Sequence, residues 1–71
     1  MKKLPFVILV FKDNLPPKKV WKRFQYDSLE MADHMAHQYL KWSDVSYVVL
    51  CRRIAPGDKL AKMRIYRDKP I

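Results

Sequence analysis

Residues 27–40 have the sequence DSLEMADHMAHQYL, and this segment decides the fold because it has the clearest helical pattern in the chain. Its apolar side chains recur at helical spacing on one stripe, with Met35 beside it: Leu29, Ala32, Ala36, Tyr39 and Leu40. The opposite face carries Glu30, His34, His37 and Lys41. The two small alanines at the centre of the stripe favour close packing on a sheet. We therefore predict one helix, ending near residue 42 or 43, with its apolar stripe on a sheet.

Two residues are candidates for the start of this helix. Asp27 is a good N-cap, and Glu30 three residues later would complete a capping box. Ser28 is the alternative cap, with the helix start shifted by one residue.

Two strands are expected on each side of the helix. Residues 4–11 form an uninterrupted apolar run, which is typical of a strand buried on both faces and therefore central. Residues 20–26, 45–54 and 60–66 have the β-branched and aromatic content of the other three strands. Residues 12–18, with two adjacent prolines, predict a loop, and residues 55–58 predict a type II turn around Gly57.

The order of these elements predicts one α+β domain spanning residues 1–71, with the arrangement ββαββ. The helix connects the second strand to the third, and the doubly apolar first strand belongs between them. We expect a four-stranded, mainly antiparallel sheet in the order 2-1-3-4, with the helix on one face and the other face uncovered.

Composition narrows the class of protein. The chain has 49% hydrophobic residues, which argues against intrinsic disorder. A single cysteine excludes an intrachain disulfide and is typical of a reducing compartment, so we expect a cytoplasmic protein. The longest apolar run, residues 6–11, is too short to span a membrane. Fifteen Lys and Arg against seven Asp and Glu give a net charge of +8, which predicts attraction to a polyanion.

The alternation of side chains along the outer strands predicts a basic and aromatic surface. If Phe24, Tyr26, Ala61, Met63 and Ile65 face the helix, the intervening residues face away from it. Adjacent Arg52 and Arg53 point opposite ways, and the apolar pattern of residues 45–54 does not settle which one joins this surface. Lys18 and Lys19 extend its field. The candidate binding residues are Trp21, Arg23, Arg52, Arg53, Lys62, Arg64, Tyr66, Lys18 and Lys19.

Such a surface suits nucleic acid, DNA or RNA, because cations neutralise phosphates and aromatic rings stack on bases. The alternative function is that of a small accessory or regulatory domain, an adaptor or inhibitor that docks on an acidic protein surface. One form of this alternative is a homodimer. The surface could also be merely solvated, since Lys and Arg on outer strands oppose edge-to-edge aggregation.

The sequence gives little support to an enzyme, a metal site or a cofactor. His34 and His37 alone make an incomplete zinc site, and the HExxH motif is absent. One glycine in the chain cannot make a glycine-rich phosphate loop. Cys51 follows an apolar segment and precedes two arginines; we expect a buried thiol rather than a reactive one.

Overall fold

In a computed structural model of the chain, residues 4–16, 19–54 and 59–67 are described. The elements are β1 (Phe6–Lys12), β2 (Lys22–Tyr26), α1 (Leu29–Leu40), β3 (Val45–Ile54) and β4 (Lys59–Arg67). The strands form one sheet in the order β2-β1-β3-β4, and every neighbouring pair is antiparallel. The predicted α+β architecture, ββαββ with this strand order, is confirmed. Over the described residues, no helix is long and apolar enough to cross a membrane.

The position of β1 explains how the helix fits the sheet. Because β1 is antiparallel to both β2 and β3, these two strands run in the same direction with β1 between them. Parallel strands need a crossover, and α1 supplies it by returning the chain across one face of the sheet. The continuous apolar sequence of β1 suits its place between two strands.

The helix begins one residue later than the first of the two predicted starts. Ser28 is the N-cap, and its hydroxyl oxygen accepts a hydrogen bond from the Met31 amide at 3.4 Å. The alternative cap is thus confirmed and the Asp27 cap is wrong. Because the third helical position is then Met31 rather than Glu30, the expected capping box does not form. The helix ends at Leu40, about two residues before the expected end.

The reversal after the helix is made by Asp44, whose φ of 70° is left-handed. A short polar side chain tolerates this conformation better than most residues. The Asp44 carbonyl accepts a hydrogen bond from the Asp13 amide at 2.7 Å, which ties the start of β3 to the turn after β1.

The main core lies between α1 and the sheet. Buried helix residues pack on buried residues of the two central strands: Ala32, Ala36, Tyr39 and Leu40 on Ile8, Val10, Val48 and Leu50. The predicted apolar stripe is confirmed except at its first member, because Leu29 is 45% exposed.

The sheet face opposite α1, here called the open face, has a smaller core of its own. Phe11, Val49 and Cys51 are buried there, and no helix residue belongs to their cluster. The central strands β1 and β3 are therefore buried on both faces. This was predicted for β1, whereas the pattern of β3 had left open which of its faces is buried.

Two shifts of register decide which face each strand residue occupies. Phe11 of β1 pairs with Tyr47 of β3, and Lys12 pairs with Val45, so Ser46 of β3 is an extra residue between the two pairs. Because of it, Val45 lies in the main core although Tyr47 lies on the open face. Opposite Leu50 and Cys51, β4 carries one extra residue, Met63. An extra residue in one strand reverses the facing of everything beyond it. The predicted turn at residues 55–58 lies outside the described residues.

Candidate nucleic-acid interface

The open face is assembled from alternate residues of all four strands. Successive rows across the sheet place Arg23 beside Leu9 and Val49, then Phe11 beside Tyr47 and Arg67. Residues paired on neighbouring antiparallel strands share a face, so these rows lie on the side away from α1.

Apolar side chains lie on β1, β3 and β4 of this face. Four of them are partly exposed or lie against the buried layer, and we call them the apolar floor: Leu9, Tyr47, Leu60 and Ile65. Ile65 is 48% exposed and is the most open of the four. The floor is thus accessible apolar surface above a buried layer.

Cations lie beside the apolar floor, and we call them the cationic border. They are Arg23 on β2, Arg53 at the end of β3, and Lys62 and Arg67 on β4. Arg23, Lys62 and Arg67 are exposed. Three strand spacings separate β2 from β4, or about 14 Å. Arg67 and Lys62 pair with Tyr47 and Cys51, four residues apart on β3, and so lie about 13 Å apart along the strand.

One row of the open face is a stacked column. The rings of Phe11 and Tyr47 have centroids 4.5 Å apart and planes within 7° of parallel. The Arg67 guanidinium carbon lies 4.9 Å from the Tyr47 ring centroid. Phe11 and Arg67 flank Tyr47 on its two neighbouring strands, so they hold this ring from both sides.

Arg53, rather than Arg52, joins the open face. Its Nε donates to the Leu4 carbonyl at 3.0 Å, and its terminal nitrogen donates to Gln25 Oε1 at 3.1 Å. These bonds fix the guanidinium at the end of the sheet. Arg52 pairs with Phe6 and Ala61 on the helix side of the sheet and is exposed.

The prediction that Arg64 and Tyr66 lie on the open face is wrong. Both face α1: the Tyr66 hydroxyl donates to Asp33 Oδ1 at 2.5 Å, and an Arg64 terminal nitrogen donates to the same oxygen at 3.1 Å. The extra residue Met63 is the cause, because it reverses the alternation between Lys62 and Arg64. For the same reason Ile65, expected to face the helix, lies on the open face.

Trp21 is also misplaced in the prediction. It packs against the main core and meets Trp42 edge to face, with ring centroids 6.0 Å apart. The Trp21 amide donates a hydrogen bond to the Val10 carbonyl, although the strand partner of Val10 is Lys22. The alternation of side chains is therefore offset by one residue at Trp21. The ammonium groups of Lys12 and Lys22 lie 4.1 Å and 5.0 Å from the Trp21 ring centroid.

The remaining predicted residues divide by position. Arg23, Arg53 and Lys62 lie on the open face as expected. Lys19 is exposed just before β2, and Lys18 lies outside the described residues.

Sequence reasoning missed Tyr47, Ile65 and Arg67. No local signal indicated Arg67, because unbroken alternation would place it on the helix side with Ile65, and only the extra residue Met63 brings it to the open face.

The sheet has an uneven distribution of charge. Its four strands contain no acidic residue and nine basic ones: Lys12, Lys22, Arg23, Arg52, Arg53, Lys59, Lys62, Arg64 and Arg67. The acidic side chains of the described residues lie in turns or on the helix, as Asp13, Asp27, Glu30, Asp33 and Asp44. Asp33 on the helix side forms ion pairs with His37 and Arg64, at 3.8 Å and 3.1 Å. Among the residues that the structure describes, the strand residues of the open face are therefore basic, apolar or neutral, and none is acidic.

Cys51 lies in the buried layer of the open face and is 1% exposed. Burial raises the pKa of its thiol, although the charges of Lys62 and Arg23 act in the opposite direction. Burial and a raised pKa both disfavour the reactive thiolate. Among the described residues, no group of three or more metal-ligating side chains occurs, and no pocket is present.

Comparison with protein-family models, with curated proteins and with solved structures finds no match to this chain.

Proposed function

We propose that this chain is a non-enzymatic nucleic-acid-binding domain that uses the open face of its sheet. The observation that carries the proposal is the cationic border beside the apolar floor on a sheet without acidic residues. Cations on a polyanion release condensed counterions, which favours binding without reading sequence. The acidic residues on α1 lie on the other side of the sheet and would orient the open face toward the polymer.

Titration with labelled oligonucleotides at several salt concentrations tests this proposal. We expect Lys62→Ala to weaken binding to all sequences and to reduce the slope of log affinity against log salt by about one. Lys41→Ala is the matched control, since it removes the same charge from an exposed residue next to the helix end. No binding at low salt, or equal effects of the two substitutions, would contradict the proposal.

Tryptophan emission gives a second readout. The two tryptophans of the chain, Trp21 and Trp42, meet on the helix side. Binding at the open face should therefore leave their emission nearly unchanged while anisotropy of the labelled polymer rises. A large emission change that accompanies binding would place the polymer on the wrong side of the sheet.

The second candidate function, docking on an acidic protein surface, is favoured by the aromatic cluster around Trp42. This ring is 43% exposed although it contacts Trp21, Phe24 and Tyr39 at centroid distances of 6.0, 6.2 and 4.8 Å. An exposed tryptophan on a rigid aromatic base, near the Lys12 and Lys22 ammonium groups, resembles an interface hot spot.

A poly-glutamate peptide is a suitable acidic probe for this candidate, with tryptophan emission as the signal. Docking would shift the emission and would be lost in Trp42→Ala, whereas Ile65→Ala would bind normally. Sedimentation of the chain alone tests the homodimer version, which a monomer at high concentration would exclude.

A further inference from the structure

We infer that the open face selects single-stranded over double-stranded nucleic acid, with the apolar floor taking unpaired bases and the cationic border taking the phosphates. This inference rests on the proposed function and specifies the class of polymer. Its basis is the presence of both kinds of side chain on one face, with apolar groups on β1, β3 and β4 and cations beside them on β2, β3 and β4.

The width of the sheet disfavours a duplex. The major groove of B-DNA is about 12 Å wide and admits a helix or a two-stranded ribbon. The outer strands of this sheet are about 14 Å apart before their side chains are added. All the residues of the floor and the border lie on these four strands, so none of them is on an element narrow enough to enter the groove.

The chemistry of the floor leads to the same conclusion. A duplex turns sugars and phosphates outward, and phosphates against Leu9, Leu60 and Ile65 would lose water without gaining a hydrogen bond. An unpaired base has an apolar face that needs no hydrogen-bond partner. A single strand can therefore satisfy the floor and the border together, whereas a duplex satisfies the border alone.

The stacked column of Phe11, Tyr47 and Arg67 holds the Arg67 guanidinium in place for a base. Phe11 and Arg67 hold the Tyr47 ring, so little side-chain freedom remains to be lost on binding. Arg67 is exposed at the outer strand, where a guanidinium plane can stack on a base and also contact a phosphate. Exposed Ile65 lies between Arg67 and Lys62 on the same strand.

The test compares a short labelled single strand with a duplex of the same sequence, across a range of salt concentrations. We expect the single strand to bind at least about tenfold more tightly, the effect of one stacked base. Ile65→Ala should lower single-strand affinity by about threefold or more and leave duplex affinity unchanged. Met31→Ala is the matched control, because Met31 is 50% exposed on the helix and Ile65 is 48% exposed on the open face.

A second variant separates a loss of binding from a loss of folding. Tyr47→Leu keeps an apolar side chain on Phe11 and should also weaken the single strand selectively, with the circular dichroism spectrum unchanged. Equal affinity for the two polymers, together with no effect of Ile65→Ala, would overturn the inference. If Lys62→Ala still weakened binding in that case, the proposed function would stand. Failure of both polymers to bind would overturn both. A dimer that dissociates on Ile65→Glu would show that a second copy covers this face, and would also overturn the inference.

Discussion

At the scale of single residues, Asp33 connects the helix to the outer strand. One of its carboxylate oxygens accepts hydrogen bonds from Tyr66 and Arg64, and His37 Nε2 lies 3.8 Å away. The Tyr66 hydrogen bond, with the charges of His37 and Arg64, lowers the pKa of Asp33 below its ordinary value of 3.8, although desolvation partly opposes this. Burial raises the pKa of the Tyr66 hydroxyl, and its bond to Asp33 adds to this.

The lowered pKa of Asp33 predicts a pH-dependent contribution to stability. Since the folded-state pKa lies below the unfolded value, the contribution is present above about pH 4 and is lost as pH falls through the folded value. Asp33→Asn should therefore lower the melting temperature at pH 6, and the difference from the natural chain should shrink toward pH 3.

Glu30→Gln is the control for Asp33→Asn, because Glu30 is an exposed acid in the first turn of the same helix. Thermal melts of the three chains at several pH values provide the measurement. A difference between Asp33→Asn and the natural chain that stays constant down to pH 3 would disprove the role given to this carboxylate.

At the scale of elements, the helix start shows how a single hydrogen bond selects between two adjacent caps. Ser28 has extended backbone angles, φ −125° and ψ 134°, and its side chain bonds the Met31 amide. Asp27 is exposed and precedes the cap. The capping bond therefore belongs to Ser28.

Ser28→Ala should destabilise the chain by about 1 kcal/mol, because one amide at the helix start loses its partner. Asp27→Ala should have a smaller effect, limited to the interaction of its charge with the helix dipole. Urea denaturation of both variants measures the two changes. A larger loss in Asp27→Ala than in Ser28→Ala would mean that the helix starts one residue earlier.

At the scale of the whole molecule, the sheet separates two unequal apolar layers. Val48 lies on the helix side with 0% exposure, and its neighbour Val49 lies on the open face with 3%. The long side chains of the cationic border can cover apolar neighbours with their aliphatic parts and keep their charges in water. The open face can thus contribute to stability and present charge at once.

Val49→Ala should cost about 1–2 kcal/mol of unfolding free energy, close to the cost of Val48→Ala, because both remove buried methyl groups. Chemical denaturation of the two variants provides the comparison. A Val49→Ala variant as stable as the natural chain would mean that the open face is solvated surface and not a second core.

Much of the fold follows from the local pattern of the sequence. The helix pattern in residues 27–40 and the apolar run in residues 4–11 are long enough to identify a helix and a central strand. The strand order then follows from the need to place a doubly buried strand between two others. The bounds of β3 were predicted to the residue, since its apolar content and its flanks agree.

The candidate surface was only partly predictable. Arg23, Arg53 and Lys62 were among the expected residues, but Arg64, Tyr66 and Trp21 lie on the helix side. Strand alternation has a period of two, so one unpaired residue exchanges the two faces beyond it. Neither Met63 nor the offset at Trp21 leaves a mark in the local pattern.

The sequence by itself determined the kinds and order of the elements, the central place of β1 and the excess of positive charge, because these depend on composition and on local periodicity. Only the tertiary structure decided which cations border the open face and which aromatic ring lies within it. That choice depends on how β3 and β4 pair at Met63, and pairing is set by contacts between strands that no single strand encodes.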